Sequence, residues 1–198
     1  MKLDYKKIKS VHSNEHAFAA LMDCGKVVTW GDSRYGGDSN SVSEQLIDVV
    51  SIHPSGFSFA ALKADGSVVT WGFGRGGDSC GVSELLTDVV DICANKYAFA
   101  ALKNDGGVVV WGCIDFGGNA RRVVEQLKSG VAFICSTTGA FAALKSDGSV
   151  ITWGASRCGG DSSAVSDQLK SGVVSLHSAD RGFTAIKEDG TVVTWGDL

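Results

Sequence analysis

Short apolar segments of this chain are separated by glycine turns, and the clearest example runs from Phe59 to Gly72. It consists of the small-residue segment Phe-Ala-Ala-Leu-Lys, an Asp-Gly turn, and the β-branched segment Val-Val-Thr-Trp-Gly. Apolar segments on both sides of Asp-Gly are typical of a β-hairpin, and the dipeptide favours a type I′ turn. The pattern occurs five times, at Phe18 to Gly31, Phe59 to Gly72, Phe99 to Gly112, Phe141 to Gly154 and Phe183 to Gly196.

The hairpins recur at a nearly constant spacing. Their tryptophans are separated by 41, 40, 42 and 42 residues and are Trp30, Trp71, Trp111, Trp153 and Trp195. A period of this size indicates one supersecondary unit per repeat. No change in composition interrupts the series, so residues 1–198 are predicted to form one repeat domain. The tryptophans are expected to lie in the core between units; platforms for stacking sugars are the alternative.

Each unit has two further parts. A short apolar strand precedes the hairpin, as at Val50 to His53, and a connection beginning with Gly-Gly follows it. Val and Leu are spaced i and i+4 in each connection, which favours a short helical turn with one apolar edge, although an outer fourth strand is an alternative. The Asp-Ser after three of the glycine pairs is a good helix N-cap. The spaced pairs are Val42 and Leu46, Val82 and Leu86, Val123 and Leu127, and Val165 and Leu169.

The phase of the repeat indicates how the ends meet. Aligning His12 with His53 places Met1 opposite Val42 and Tyr5 opposite Leu46. The first residues would then complete the last unit, which favours a closed ring in which no strand edge is left open. Both a monomer and an oligomer that completes the ring are compatible with this phasing.

The succession of a Val-x-Ile-x-Cys or His strand, an Ala-Leu strand, an Asp-Gly turn, Val-x-x-Trp-Gly and a glycine-rich loop resembles the RCC1 (regulator of chromosome condensation) repeat. The resemblance covers all five units. It implies an all-β fold, a β-propeller with five RCC1-like repeats of about 41 residues, each forming one blade. Family repeats are usually longer and usually number seven. The histidine that the family has before the Ala-Leu strand is replaced by Ala17, Ser58, Ala98, Ala140 and Gly182.

The resemblance also implies a function. It predicts a protein–protein interaction module that binds a small GTPase or another regulatory protein. Guanine-nucleotide exchange on a small GTPase is an alternative, but the chain has no insertion long enough to form the wedge of the exchange-factor member. A propeller that binds glycans or small molecules is a further alternative. Because fold does not determine function, these expectations depend on the site residues.

One candidate site is the first strand of each unit, which normally lines the channel of a propeller. Equivalent His or Cys residues occur there in all five units and would form a ring. This combination of side chains can bind zinc, which makes a metal site a hypothesis. The alternative is that small side chains fit the crowded axis and that buried thiols act as small hydrophobes. The five residues are His12, His53, Cys93, Cys135 and His177.

A second candidate site is formed by the glycine loops, where arginines and aromatic residues recur. Both residue types are enriched at binding hot spots, so a partner surface is predicted if the loops share one rim. The alternative is that the long side chains cover the loops and remain solvated. The predicted rim residues are Arg34, Tyr35, Phe73, Arg75, Asp115, Phe116, Arg157 and, in the divergent third unit, Arg121 and Arg122.

Composition restricts the partners. The net charge of −4 argues against nucleic acid as a ligand.

The six cysteines do not follow the repeat, which indicates free thiols in a reducing compartment rather than a disulfide framework. The start of the chain is polar and lysine-rich, unlike a signal peptide, so a cytoplasmic or nuclear location is expected. No apolar run could span a membrane. Enzyme motifs are missing from the sequence, so neither catalysis nor a cofactor is expected.

Overall fold

The computed structural model describes residues 7–197, except the side chain of Arg75. The predicted insertion of Met1 and Tyr5 into the last unit therefore lies outside the described residues. The described residues form five three-stranded antiparallel sheets, each built from consecutive strands. Each sheet is one blade, and the blades are numbered 1 to 5 in chain order. The predicted five-blade β-propeller fold is confirmed. The strands are β1 Ile8–Ser13, β2 Ala17–Met22, β3 Val27–Gly31, β4 Val49–Pro54, β5 Ser58–Lys63, β6 Val68–Gly72, β7 Val89–Ala94, β8 Ala98–Lys103, β9 Val108–Gly112, β10 Val131–Ser136, β11 Ala140–Lys145, β12 Val150–Gly154, β13 Val173–Ser178, β14 Gly182–Lys187 and β15 Val192–Gly196.

The five hairpins are confirmed, but the predicted type I′ turn is wrong. In blade 2 the backbone N–H of Gly66 donates to the carbonyl of Lys63 over 3.0 Å, and Gly66 has a φ of +78°. A type I′ turn also needs positive φ at a second central residue, yet Asp48 and Asp88 are the described non-glycine residues with positive φ. The turn is therefore type I followed by a left-handed glycine. Asp65 stabilises it by accepting a 2.9 Å hydrogen bond from the Ser67 N–H.

The connections between blades contain short 3₁₀ helices, so the predicted helical turn is confirmed and a fourth strand is not formed in the described residues. Asp38 precedes the N-cap residue Ser39 of the helix Asn40–Val42 and accepts a 2.9 Å hydrogen bond from the Asn40 N–H, whereas the Ser39 side chain makes no cap bond. The apolar edge is also confirmed, because Leu46 is buried. The helices are Ser33–Tyr35, Asn40–Val42, Gly74–Gly76, Ser83–Leu85, Ile114–Phe116, Gln126–Lys128, Ser156–Cys158 and Ser163–Leu169.

Neighbouring blades pack large side chains against small ones. The face of a blade that contacts the preceding blade is called its leading face, and the opposite face is called its trailing face. On the leading face of blade 2, the rings of Phe59 and Trp71 stack with centroids 5.2 Å apart. They pack against Ala17 and Ala19 on the trailing face of blade 1. Because alanine leaves room for the rings, both the rings and these alanines are buried.

A glycine loop closes each of these interfaces. The indole N–H of Trp71 donates a 3.1 Å hydrogen bond to the carbonyl of Gly36 in the loop of blade 1. Gly36 has a φ of +97°, and a Cβ there would lie 2.8 Å from the Phe59 ring, so only glycine fits. The same bond recurs between Trp111 and Gly76, Trp153 and Gly117, and Trp195 and Gly159.

Blade 5 does not pack on blade 1 within residues 7–197. Trp30 is 36% exposed, whereas its four counterparts are 3–6% exposed. At the other end, a Cβ on Gly190 would meet nothing within 4 Å, whereas the equivalent Gly25 contacts the backbone of the next blade at Asp48. The closed ring favoured by the phasing is thus not formed by the described residues. Placement of the other four tryptophans between blades is confirmed.

Candidate protein-binding rim

Two sets of loops meet at one edge of the array, which we call the upper rim. One set joins the first and second strands of each blade, and the other follows each third strand. In blade 1, Asn14 connects the two sets, because its Oδ1 accepts from the N–H of Ala17 and its Nδ2 donates to the carbonyl of Tyr35 over 2.7 Å. Asn95 donates in the same way to Phe116. The turn and the glycine loop of a blade therefore hold each other in place.

Six rings line up along the upper rim of blades 1 to 3, and we call this cluster the aromatic rim. Adjacent members are in contact, with centroid distances of 4.3 Å (His16–Tyr35), 5.7 Å (Tyr35–Phe57), 5.4 Å (Tyr35–Phe73), 5.9 Å (Phe57–Tyr97) and 4.4 Å (Tyr97–Phe116). Rings from neighbouring blades thus form one continuous surface, because the loops of successive blades are brought side by side.

Among the described side chains, two cations lie over this surface, and each is paired with a carboxylate. Arg34 lies 5.4 Å from the Tyr35 ring centroid and forms a 2.9 Å ion pair with Asp32. The hydrogen bonds from Arg34 lower the pKa of the Asp32 carboxyl below its ordinary value. Lys96 lies 5.6 Å from the Phe57 centroid and forms a 2.7 Å ion pair with Glu15 of blade 1. The charges of Arg34 and Lys96 beside the aromatic rim are therefore balanced by carboxylates.

The aromatic rim is partly open to solvent and ends at blade 4. Phe73 is 56% exposed. At the far end, the position equivalent to His16, Phe57 and Tyr97 is Gly139. A Cβ there would lie 2.7 Å from the Phe116 ring, which occupies the space of the missing side chain. The surface therefore has a defined extent of three blades.

A separate cleft of about 660 Å³ lies beside the aromatic rim, between blades 3 and 4. Hydrogen bonds from Ser163 and, to a smaller degree, the charge of Arg122 lower the pKa of the Asp161 carboxyl, which lines this cleft. Both signs of charge are thus present in it. The polar lining includes Asp115, Asn119, Arg121, Arg122, Ser156 and Asp161.

Most of the predicted rim residues belong to the aromatic rim or to the cleft. Arg34, Tyr35, Phe73 and Phe116 belong to the aromatic rim or contact it, whereas the third-unit arginines line the cleft. Arg157 lies exposed in the 3₁₀ helix Ser156–Cys158, and the side chain of Arg75 lies outside the described residues. Whether these residues bind a partner stays a prediction.

Sequence reasoning missed three members of the aromatic rim and its lysine. His16, Phe57 and Tyr97 occupy the same position, two residues before the phenylalanine of the second strand, and Lys96 precedes Tyr97. A signal was available, since an aromatic residue or histidine recurs there in the first three units and not in the last two. Only the fold shows that this position faces the glycine loop of the same blade.

The predicted channel ring does not assemble a metal centre. In residues 7–197, no three His, Cys, Asp or Glu side chains lie close enough together to hold a metal ion. Cys93 and Cys135 instead pack with apolar side chains between blades, while the Nε2 atoms of His12 and His53 lie 2.9 Å from the hydroxyls of Ser10 and Ser51. The two cysteines therefore fill space between blades, as in the alternative, whereas His177 is exposed on blade 5.

The ionisation of these groups agrees with that packing. Burial raises the pKa of Cys93 to about 11 and of Cys135 to about 12, so both thiols are protonated near neutral pH. Burial lowers the pKa of His12 and His53. A protonated thiol is a poor nucleophile and a poor metal ligand. All six cysteines are free thiols in the structure.

Known proteins resemble this chain in structure and not in sequence. No protein-family model matches it, and neither does any curated protein sequence. Human WBSCR16 superposes with a TM-score of 0.57 at 18% identity, over 99% of this chain and 64% of its own. Prp20p of Saccharomyces cerevisiae, studied for its binding to Gsp1p and histones, gives 0.61 at 19%, over 96% and 57%. The yeast protein, RCC1 (Prp20), bound to Kap60 gives 0.60 at 20%, over 96% and 56%.

These similarities show the fold, and the predicted resemblance to RCC1 is confirmed at that level. The chain spans less than two thirds of the human and yeast proteins that it matches. Within residues 7–197, the helices are too short to cross a membrane. That residues 1–198 form a single domain stays a prediction.

Proposed function

We propose that this RCC1-type array of blades is a protein-interaction module that binds a regulatory protein, a small GTPase being the first candidate, through the aromatic rim. The observation that carries the proposal is the continuous run of six contacting rings, with Phe73 56% exposed at its outer side. Exposed aromatic side chains beside arginine are characteristic of binding hot spots.

The construction of the aromatic rim supports this assignment. The rings are held by the turn and glycine loop of each blade, so little side-chain freedom is lost when a partner binds. Arg34 and Lys96 contact the rings and are already paired with carboxylates. Their charges therefore create no strong electrostatic field at the apolar surface. A protein surface with apolar side chains is the partner that such a neutral aromatic patch favours.

The identity of the partner class comes from similarity. Prp20p, which shares the fold, binds Gsp1p and histones, and it has been crystallised with Kap60. Extending such binding to this chain is part of the proposal, as is a cytoplasmic or nuclear location. Binding without catalysis is proposed because the thiols of Cys93 and Cys135 are buried and protonated, and because His12 and His53 lie beside serine hydroxyls.

The test is a direct binding measurement with matched variants. The chain is titrated by calorimetry against a panel of small GTPases, each nucleotide-free, GDP-bound and bound to a GTP analogue. We expect one partner to bind and Phe73→Ala to weaken its affinity about thirtyfold, the loss typical of a hot-spot residue. Phe133→Ala is the control, because Phe133 is also exposed, at 45%, but lies on β10 away from the rim.

Two results would contradict the proposal. The first is an equal loss of affinity from Phe73→Ala and Phe133→Ala, which would place the interface elsewhere. The second is the absence of binding to every member of the panel together with unchanged binding of proteins captured from a lysate when Phe73 is replaced. A nucleotide-release assay on the same panel tests the alternative of guanine-nucleotide exchange.

Small-molecule binding is a second candidate, favoured by the cleft between blades 3 and 4. Its volume of about 660 Å³ is within the range of ligand sites. Arginine and aspartate side chains in one cleft would suit a ligand that carries both charges or several hydroxyl groups. Replacing Arg121 and Arg122 with alanine would abolish binding at this site and leave the affinity of a rim-bound protein unchanged.

A further inference from the structure

The leading face of blade 1 has the composition of a buried interface, yet it is exposed. Its aromatic pair, Phe18 and Trp30, stacks with centroids 5.4 Å apart, as in the other blades. Phe18 is 42% exposed, whereas its four counterparts are fully buried. Val11 on the first strand is 51% exposed, whereas the equivalent Ile52 is 3% exposed. The four interfaces inside the array show what normally covers such a face.

In every internal interface the leading face is covered by the trailing face of an identical type of blade. The trailing face presents small residues from its second strand and Val or Thr from its third strand. For blade 1 these include Ala17, Ala19 and Val27, which pack against the core of blade 2. The partner of a leading face is thus defined four times within this molecule.

The trailing face of blade 5 is a second uncovered surface, and it is complementary to the first. Val192, the counterpart of the half-buried Val27, is 59% exposed. Ile186 on β14 and Thr194 on β15 occupy the positions of Leu21 and Thr29 of blade 1, and Thr194 is exposed. Within residues 7–197, the array therefore has one uncovered face of each kind, one at each end.

We propose that the leading face of blade 1 binds the trailing face of blade 5 of a second copy, so that copies associate head to tail. Blade 1 keeps the aromatic pair of the internal leading faces, and blade 5 keeps the valine and threonine of the internal trailing faces, with Thr184 in place of Ala19. The contact would thus resemble a packing that the chain already makes four times. A head-to-tail contact leaves one face free at each end of an open assembly, so further copies can add until the rotation between copies closes a ring. Assemblies should therefore grow with concentration instead of stopping at a symmetric dimer.

The first test is sedimentation velocity of the 198-residue chain from about 1 µM to about 1 mM, the range in which moderate interfaces dissociate. We expect a monomer of 20.6 kDa at the low end and a growing series of larger species at higher concentration. Quenching of Trp30 fluorescence by acrylamide should decrease in parallel. The other four tryptophans are already shielded, so Trp30 dominates the quenching.

Face-blocking variants make the test specific. Trp30→Glu and, as a second variant, Val11→Glu each block the leading face, whereas Val192→Glu blocks the trailing face. Each variant alone should remain monomeric, with association weakened about thirtyfold or more. An equimolar mixture of Trp30→Glu and Val192→Glu should form a one-to-one dimer, because each variant still has one intact face of opposite kind. Only a head-to-tail contact predicts this complementation.

Controls separate loss of binding from loss of folding. Val90→Glu adds the same charge at an exposed valine of β7, which lies on neither end face, and it should associate like the unmodified chain. Circular dichroism must show that each variant is folded. The proposal is overturned if the unmodified chain stays monomeric up to about 1 mM, a concentration at which any specific interface of useful affinity would be populated. It is also overturned if the variant mixture stays monomeric, or if Trp30 is shielded in the monomer, which would indicate closure within one chain.

Discussion

The same substitution should have different costs in different blades, and tryptophan to alanine is the most informative case. Trp111 is 4% exposed, stacks on Phe99 with centroids 5.0 Å apart, and donates a 3.2 Å hydrogen bond to the carbonyl of Gly76. Trp30 makes the equivalent stack with Phe18 but is 36% exposed on an uncovered face. The local sequence and the pairing within the blade are therefore matched, and only the covering blade differs.

The structure gives the size of the difference. Trp111→Ala removes a fully buried ring between blades 2 and 3 and leaves a cavity, which costs about 3–5 kcal/mol. That range includes the loss of the hydrogen bond from the Trp111 indole to the Gly76 carbonyl, because water that enters the cavity can donate to this carbonyl instead. Trp30→Ala loses mainly the stack with Phe18 and part of its apolar burial, about 1–2 kcal/mol.

The assay is urea-induced unfolding at low micromolar concentration, followed by far-ultraviolet circular dichroism because the substitutions remove a fluorophore. The free energies of unfolding of both variants and the unmodified chain are compared using one shared slope of free energy against urea concentration. A variant with a different slope would indicate that the array no longer unfolds as one unit. Equal losses of stability at the two positions would refute the reasoning, because they would mean that Trp30 is covered as well as Trp111.

Two further predictions follow from the glycine loops and from the buried thiols. Gly117→Ala should lower the free energy of unfolding by about 1–3 kcal/mol, because the φ of Gly117 is +97° and a Cβ there would lie 2.7 Å from the Phe141 ring. Gly81→Ala is the control, since a Cβ at Gly81 would meet nothing within 4 Å, and it should change the urea midpoint little. The free energy of unfolding should fall as the pH rises from about 9 through about 12, because the thiols of Cys93 (folded pKa about 11) and Cys135 (folded pKa about 12) ionise first in the unfolded chain. Cys135→Ala should reduce this pH dependence by on the order of 1.4 kcal/mol per unit of pKa difference between the folded and unfolded chain. A urea midpoint that stays constant from pH 9 to 12 would contradict the prediction.

Much of the fold follows from short stretches of sequence. The hairpin around Asp65 and Gly66 could be predicted because strand alternation and turn chemistry are local properties. The helical turns could be predicted because Asp38 and its counterparts accept hydrogen bonds from residues only two positions ahead. The type of turn was missed, since Asp-Gly is compatible with both a type I′ turn and a type I turn followed by a left-handed glycine.

The candidate sites could be predicted only in part. Arg34, Tyr35 and Phe73 were found because they lie in loops where the copies differ. His16, Phe57 and Tyr97 were missed because they reach the same surface from another loop, and that proximity depends on the stacking of whole blades. The sequence predicts a channel position for the cysteines of the first strands, whereas Cys135 packs in the interface with blade 5, a contact that depends on the neighbouring blade.

The sequence alone determined that this protein consists of five like units, each a hairpin with an added strand, and that the units stack as in RCC1-type propellers. Those properties arise from contacts close in the chain and from a repeat that places a large ring opposite a small residue. The tertiary structure decided which copies of that repeat are covered. Trp30 and Trp71 have the same neighbours in sequence, yet one is exposed and the other buried, because burial depends on the blade that precedes them.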